Sequence, residues 1–202
     1  MYPEFTYQEM RKRRAYSSEE AGYSYTPGPR GFITMYARDP NNFRNIHLET
    51  GWKFHISLDQ DQEHNGANLA AGWDIVNKVL REHHCPEWKI IMQAEANVGV
   101  GKQITIFAYK DDKTASDWQS ILQEIENGLI NANINPDRAG FTEKDKNIPG
   151  SQYISYRNDS DPRGQYLPEK RAISYNDSGQ TDPYTTLSFT PPEKGNKRNF
   201  TI

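Results

Sequence analysis

The feature that most constrains the fold is an eight-residue alternation. Trp52, Phe54, Ile56 and Leu58 alternate with Lys53, His55, Ser57 and Asp59. Apolar residues at every second position define a half-buried strand, because successive side chains point to opposite faces of a sheet. One face of this strand therefore belongs to a core. The other lines up Lys53, His55 and Ser57.

The neighbouring segments supply what such a strand must pair and pack with. Residues 31–37 read as a strand, closed by the turn Asp39-Pro40-Asn41-Asn42. Leu69, Trp73, Val76 and Leu80 recur at the 3.6-residue period, predicting a helix from a cap at Asn65 to about His84, with Pro86 beyond it. Residues 87–94 and 102–110 read as two strands joined by Asn97-Val98-Gly99-Val100-Gly101, a predicted hairpin. A second helix is expected over 115–132, with Trp118, Ile121, Leu122, Ile125 and Leu129 as its stripe. A polar loop at 133–150 leads to a short strand at 152–157. The expected class is α+β, an antiparallel-rich sheet flanked by helices, with irregular or disordered termini. Three regions follow: a solvated N-terminal arm over 1–28 carrying the basic run Met10-Arg11-Lys12-Arg13-Arg14, a folded domain over 29–166, and a polar, disordered or surface-hugging tail over 167–202.

Composition narrows the function. The chain has 202 residues and a formal charge of -3, and its mean hydropathy of -0.94 leaves no run apolar enough for a transmembrane helix or a signal-peptide core. No nucleic-acid or membrane partner is expected, so anion recognition must come from a local cluster. The single Cys85 excludes an intramolecular disulfide and suggests a reducing compartment. Gly99-Val100-Gly101-Lys102 imitates a phosphate loop, but Ala96 and Gln103 stand where Gly and Ser or Thr are needed, and a strand follows instead of a helix. His83-His84-Cys85 lacks a spaced partner pair for a metal. No metal and no cofactor is expected.

Cations on strands are the remaining signal. Lys53 and His55 share a face. Lys89 lies between Trp88 and Ile90, and Arg157 ends the strand at 152–157 with Arg163 close after it. Read alone, these are either solvated side chains or cations converging on one anion, with no acidic partner evident for all of them.

Four blocks carry a resemblance to a known family. Gly51-Trp52-Lys53-Phe54-His55-Ile56-Ser57 resembles the Gly-Asp-Lys-Phe-His-Ile-Ser strand of the bacterial phosphothreonine lyase effectors of the SpvC/OspF type. Trp88-Lys89-Ile90, Gly101–Phe107 and Tyr153-Ile154-Ser155-Tyr156-Arg157-Asn158 are similar to later blocks of that family, in the same order over about 30–165. The resemblance implies β-elimination of phosphate from phosphothreonine in a host signalling protein such as a MAP kinase. Lys89 would be the general base, His55 the general acid, and Lys53, Arg157 and Arg163 the phosphate clamp. Glu87, Tyr109 and Lys102 are secondary candidates. The resemblance further implies a monomer delivered by a bacterial secretion system into the host cytoplasm or nucleus. Three departures stand out. Glu87 replaces the first lysine of the family's Lys-Trp-Lys, Asn97 stands near the place of an arginine, and Phe107 replaces a tyrosine. They leave two alternatives: a divergent member acting on another phosphorylated substrate, or a phosphoresidue-binding module without turnover.

Overall fold

The computed structural model describes residues 5–13, 15–18, 21–28, 31–38, 51–60, 66–92, 101–108, 112–137, 140–142, 145–160 and 182–190. The strands are β1 (Tyr16–Ser18), β2 (Tyr23–Pro27), β3 (Phe32–Ala37), β4 (Trp52–Ile56), β5 (Glu87–Ile91), β6 (Ile104–Ile106), β7 (Lys146–Asn147) and β8 (Ile154–Asn158). The helices are α1 (Tyr7–Arg13), α2 (Ala67–Glu82) and α3 (Ala115–Asn131). The strands form one sheet in the order β1-β2-β3-β5-β6-β4-β8-β7. Every pairing between them is antiparallel.

The 52–58 alternation does set the two faces. Trp52, Phe54, Ile56, Trp88, Ile90, Ile104, Ile106 and Ile154 are buried, and they join the stripes of α2 and α3 in one core. Phe54 meets Trp118 of α3 with ring centroids 5.1 Å apart. Helix α3 begins with a capping box: Thr114 Oγ1 accepts from the Asp117 amide, and Asp117 Oδ2 accepts from the Thr114 amide at 2.8 Å. Both long helices end just before a residue at positive φ, His84 and Asn133 (each φ 53°).

Several expectations need correction. The N-terminal segment is not a solvated arm. Phe5, Tyr7 and Met10 are buried, and the Phe5 carbonyl accepts from Asn77 Nδ2 at 2.8 Å. The segment's aromatic residues, spaced too irregularly to show a period, plug α2 and then add β1 and β2 to the sheet. The cap of α2 is Gly66, which makes no side-chain cap bond; Asn65 lies outside the described residues. Among the described residues strand β6 is limited to Ile104–Ile106, and the Gln103 side chain beside it accepts from the Leu58 amide (2.9 Å) and donates to Asp137 (2.6 Å). The 133–150 loop contains β7. Of the C-terminal tail, 182–190 hugs the surface and buries Tyr184, Leu187 and Phe189. The turns predicted at 39–42 and 97–100 lie outside the described residues.

Candidate active site

The sheet register brings the strand-borne candidates together on the face away from α3. Lys89 of β5 and His55 of β4 both pair with Thr105 of the intervening β6. Directly opposed residues share a face, so Lys89, Thr105, His55 and Ser155 form one row across four neighbouring strands. Two strand spacings of about 4.8 Å separate the Lys89 and His55 backbones, a gap that a lysine side chain can bridge. The adjacent row on the same face carries Glu87, Lys53 and Arg157, with Lys53 directly opposite Arg157.

Two carboxylates that sequence reasoning missed organise these groups. Asp159 Oδ2 accepts from Lys53 Nζ at 2.7 Å, and its Oδ1 accepts from Arg157 Nε at 2.7 Å. Asp145 Oδ2 accepts from His55 Nδ1 at 2.8 Å and from Ser155 Oγ at 2.6 Å, while its Oδ1 faces Arg157 Nη1 at 3.4 Å. Two acidic partners therefore serve the cluster, against expectation. Asp159 had a faint signal, standing two residues after a strand-end arginine. Asp145 had none: it comes from a polar loop 90 positions from His55.

Burial and charge set the protonation states. Burial comes first in pulling the Lys89 amine down to about 8; the like charges of Lys53 and Lys102 add to it, and Asp159 and Glu87 oppose it. Burial also holds the His55 imidazole below its ordinary value, against the hydrogen bond and charge of Asp145. For Asp145, burial pushes up, yet the His55 hydrogen bond and charge, with the Ser155 hydroxyl, bring the carboxyl down to about 2. The two partners pull in different senses, since a charged imidazole is what burial disfavours. Asp145 remains a carboxylate regardless, because Ser155 and Arg157 also stabilise it. Near neutral pH His55 is then a neutral ring, with its Nδ1 proton donated to Asp145.

Lys102 precedes β6 and contributes its charge at Lys89. Arg163, Tyr109 and Asn97 lie outside the described residues. His83 and Cys85 stand apart from this cluster: His83 Nε2 pairs with Glu124 at 2.8 Å, and Cys85 is buried. Among the described residues, no group of His, Cys, Asp and Glu is arranged to hold a metal ion.

Fold and site together define a class: a polar sheet face with paired cations, a depressed lysine and a carboxylate-held histidine. The OspF/SpvC family model matches residues 2–174, and the chain belongs to that family. Three solved structures share the fold. The Chromobacterium violaceum VirA (SpvC) phosphothreonine lyase effector is 19% identical, with TM-score 0.62, over 92% of this chain and 85% of its own. The Salmonella phosphothreonine lyase effector SpvC is 18% identical, with TM-score 0.59, over 85% and 80%. A mutant of the Salmonella plasmid virulence C protein (SpvC) is 19% identical, with TM-score 0.57, over 76% and 72%. A comparison with curated proteins found no match.

Proposed function

We propose that the chain is a cofactor-free phospholyase that removes phosphate from phosphothreonine in a host signalling protein by β-elimination. The observation that carries this reading is the single row holding Lys89 and His55 on either side of Thr105, with Lys53 and Arg157 in the next row. Lys89, neutral, takes the proton from the threonine Cα. The released electron pair forms the Cα=Cβ double bond as the Cβ–O bond breaks. His55 gives a proton from Nε2 to the departing phosphate oxygen, leaving dehydrobutyrine and phosphate. Asp145 holds the ring by Nδ1 and balances the imidazolium. Lys53 and Arg157, with Arg163, bind the phosphate oxygens by charge-assisted bonds.

The chemistry needs a lysine that gives up its proton. Against the ordinary value of 10.5, a value of about 8 raises the neutral fraction near pH 7 by roughly a few hundredfold. A phosphate dianion beside His55 in turn favours its charged form. The target implied by family resemblance is an activated MAP kinase, reached by secretion into the host cell.

A second reading, a phosphoresidue-binding module without turnover, is favoured by Asn97 and Glu87, which stand where the family resemblance would place cations. The depressed Lys89 weighs against it, since a binder of anions gains from a charged lysine. The test is phosphate release from phosphothreonine peptides by the wild type, Lys89→Ala and His55→Ala, with thermal melts of all three. Each variant should lose roughly 10²–10⁴-fold or more in rate and still melt cooperatively, His55→Ala at a lower temperature because Asp145 loses a buried partner. A folded variant that releases phosphate at the wild-type rate would remove that residue from the mechanism.

A further inference from the structure

We propose that Phe32 is a positioning residue for Lys89: together with Phe107 it forms a two-ring cradle that holds the amine by aromatic faces rather than by a carboxylate. The inference rests on the reading of Lys89 as general base and adds the device that keeps it in place. Lys89 Nζ lies 4.4 Å from the Phe32 ring centroid and 5.6 Å from that of Phe107. Both distances fall within the range of cation–π attraction.

The register explains why two rings meet one amine. Phe32 of β3 pairs with Ile91, two residues from Lys89 on β5 and therefore on the same face. Phe107 follows β6, where its amide donates to the Glu87 carbonyl at 3.2 Å, two residues from Lys89 in the other direction. The rings thus approach from the two strands flanking β5, at diagonal positions about 7–8 Å away along the backbone, within reach of aromatic side chains. Phe107 is also shared with Lys53, whose Nζ is 5.5 Å from the same ring.

The choice of rings has a chemical consequence. A carboxylate in contact would fix Lys89 in its charged form, and a strong hydrogen bond would compete with the substrate for the amine. Among the described residues, Lys89 Nζ has neither an ion pair nor a hydrogen bond. A ring face attracts the cation weakly, accepts no proton, and excludes water on its side. The charged groups that face the amine act at longer range: Lys53 on β4, Lys102 before β6, Asp159 after β8 and Glu87 on its own strand. Phe32 therefore orients the amine and keeps it dry at once.

The experiment separates those two effects in the full-length chain without substrate. Limiting acetic anhydride is applied across a pH series, and acetylation at Lys89 is read by mass spectrometry. In the wild type, labelling should half-titrate near 8. Phe32→Ala admits water, so the half-point should rise by about one unit, cutting labelling at pH 7 by roughly tenfold. Phe32→Leu keeps the wall dry but removes the ring face. Its half-point should stay or fall, while kcat on a phosphothreonine peptide drops with KM little changed. Phe32→Tyr should restore both. Wild-type labelling curves and wild-type kcat in folded Phe32→Ala and Phe32→Leu would overturn the proposal. Failure of the general-base reading shows elsewhere, as undiminished turnover in Lys89→Ala, and leaves the labelling curves to judge Phe32 independently.

Discussion

In the proposed mechanism Lys89 must lose a proton to act, whereas His55 must hold a second one, and the protein's own surroundings favour only the first. Burial lowers both groups, leaving Lys89 at about 8 and His55 below its ordinary 6.5. Below His55's value the imidazole is charged but Lys89 is almost wholly protonated, so the competent fraction rises with pH. Between the two values, gains in neutral lysine offset losses in charged histidine. Above about 8 the lysine is neutral and only the imidazolium continues to disappear. A rate profile of kcat/KM, which reports the free enzyme, should therefore rise in acid, flatten, and fall above about 8. In Asp145→Asn the imidazolium loses its counter-charge, so the plateau should start at lower pH and stand lower. A kcat/KM that climbs steadily past 8 would exclude His55 as the acid. At this scale the sequence exposed Lys53, His55, Lys89 and Arg157, because strand periodicity assigns faces without knowledge of partners. It hid Asp145 and Asp159, whose roles depend on where irregular backbone returns to the sheet.

Elements place these residues through β4 and β8, and Gly51 is where the two strands are tied. Gly51 has φ 55°, its carbonyl accepts from the Asp159 amide at 3.1 Å, and a Cβ there would come within 2.7 Å of Asn158 Oδ1. An alanine at this point must both adopt left-handed backbone and push the 158–160 segment away, dragging Asp159 from Lys53 and Arg157. Gly51→Ala should cost about 1–3 kcal/mol in thermal or denaturant unfolding and lower the affinity for phosphopeptide. Gly22 is the control, since its φ of 69° is similar but nothing lies within 4 Å of its missing Cβ. Gly22→Ala should show only the backbone cost of about 1 kcal/mol and normal binding. Equal effects at the two glycines would refute the role given to the Gly51 contact. Strands β3, β4, β5 and β8 and both long helices were legible as runs of regular period. Strands β1 and β7 were not, since three and two residues carry too few alternations to register, and β2 was not, since its end merges with the turn-like Thr26-Pro27-Gly28-Pro29.

At the scale of the whole molecule, residues 5–10 and 182–190 help to seal the core. The carbonyl of Phe5 anchors to Asn77 and Trp73 of α2, and Tyr184 places its ring 4.8 Å from Phe54 and 5.7 Å from Trp52. A few buried anchors in polar surroundings suffice for this, which is why composition suggested a solvated arm and a disordered or surface-hugging tail. The same economy holds for charge. The chain is net acidic at -3, yet the register gathers Lys53, Lys89 and Arg157 on one face of the sheet. In the proposed function this face eliminates phosphate rather than hydrolysing or merely holding it. The most direct measurement is the mass of a panel of phosphothreonine peptides after incubation with the full-length protein. Elimination predicts products lighter by one phosphoric acid, carrying a double bond that captures an added thiol. Products lighter by metaphosphate, which retain threonine, or a panel returned wholly unchanged, would contradict it.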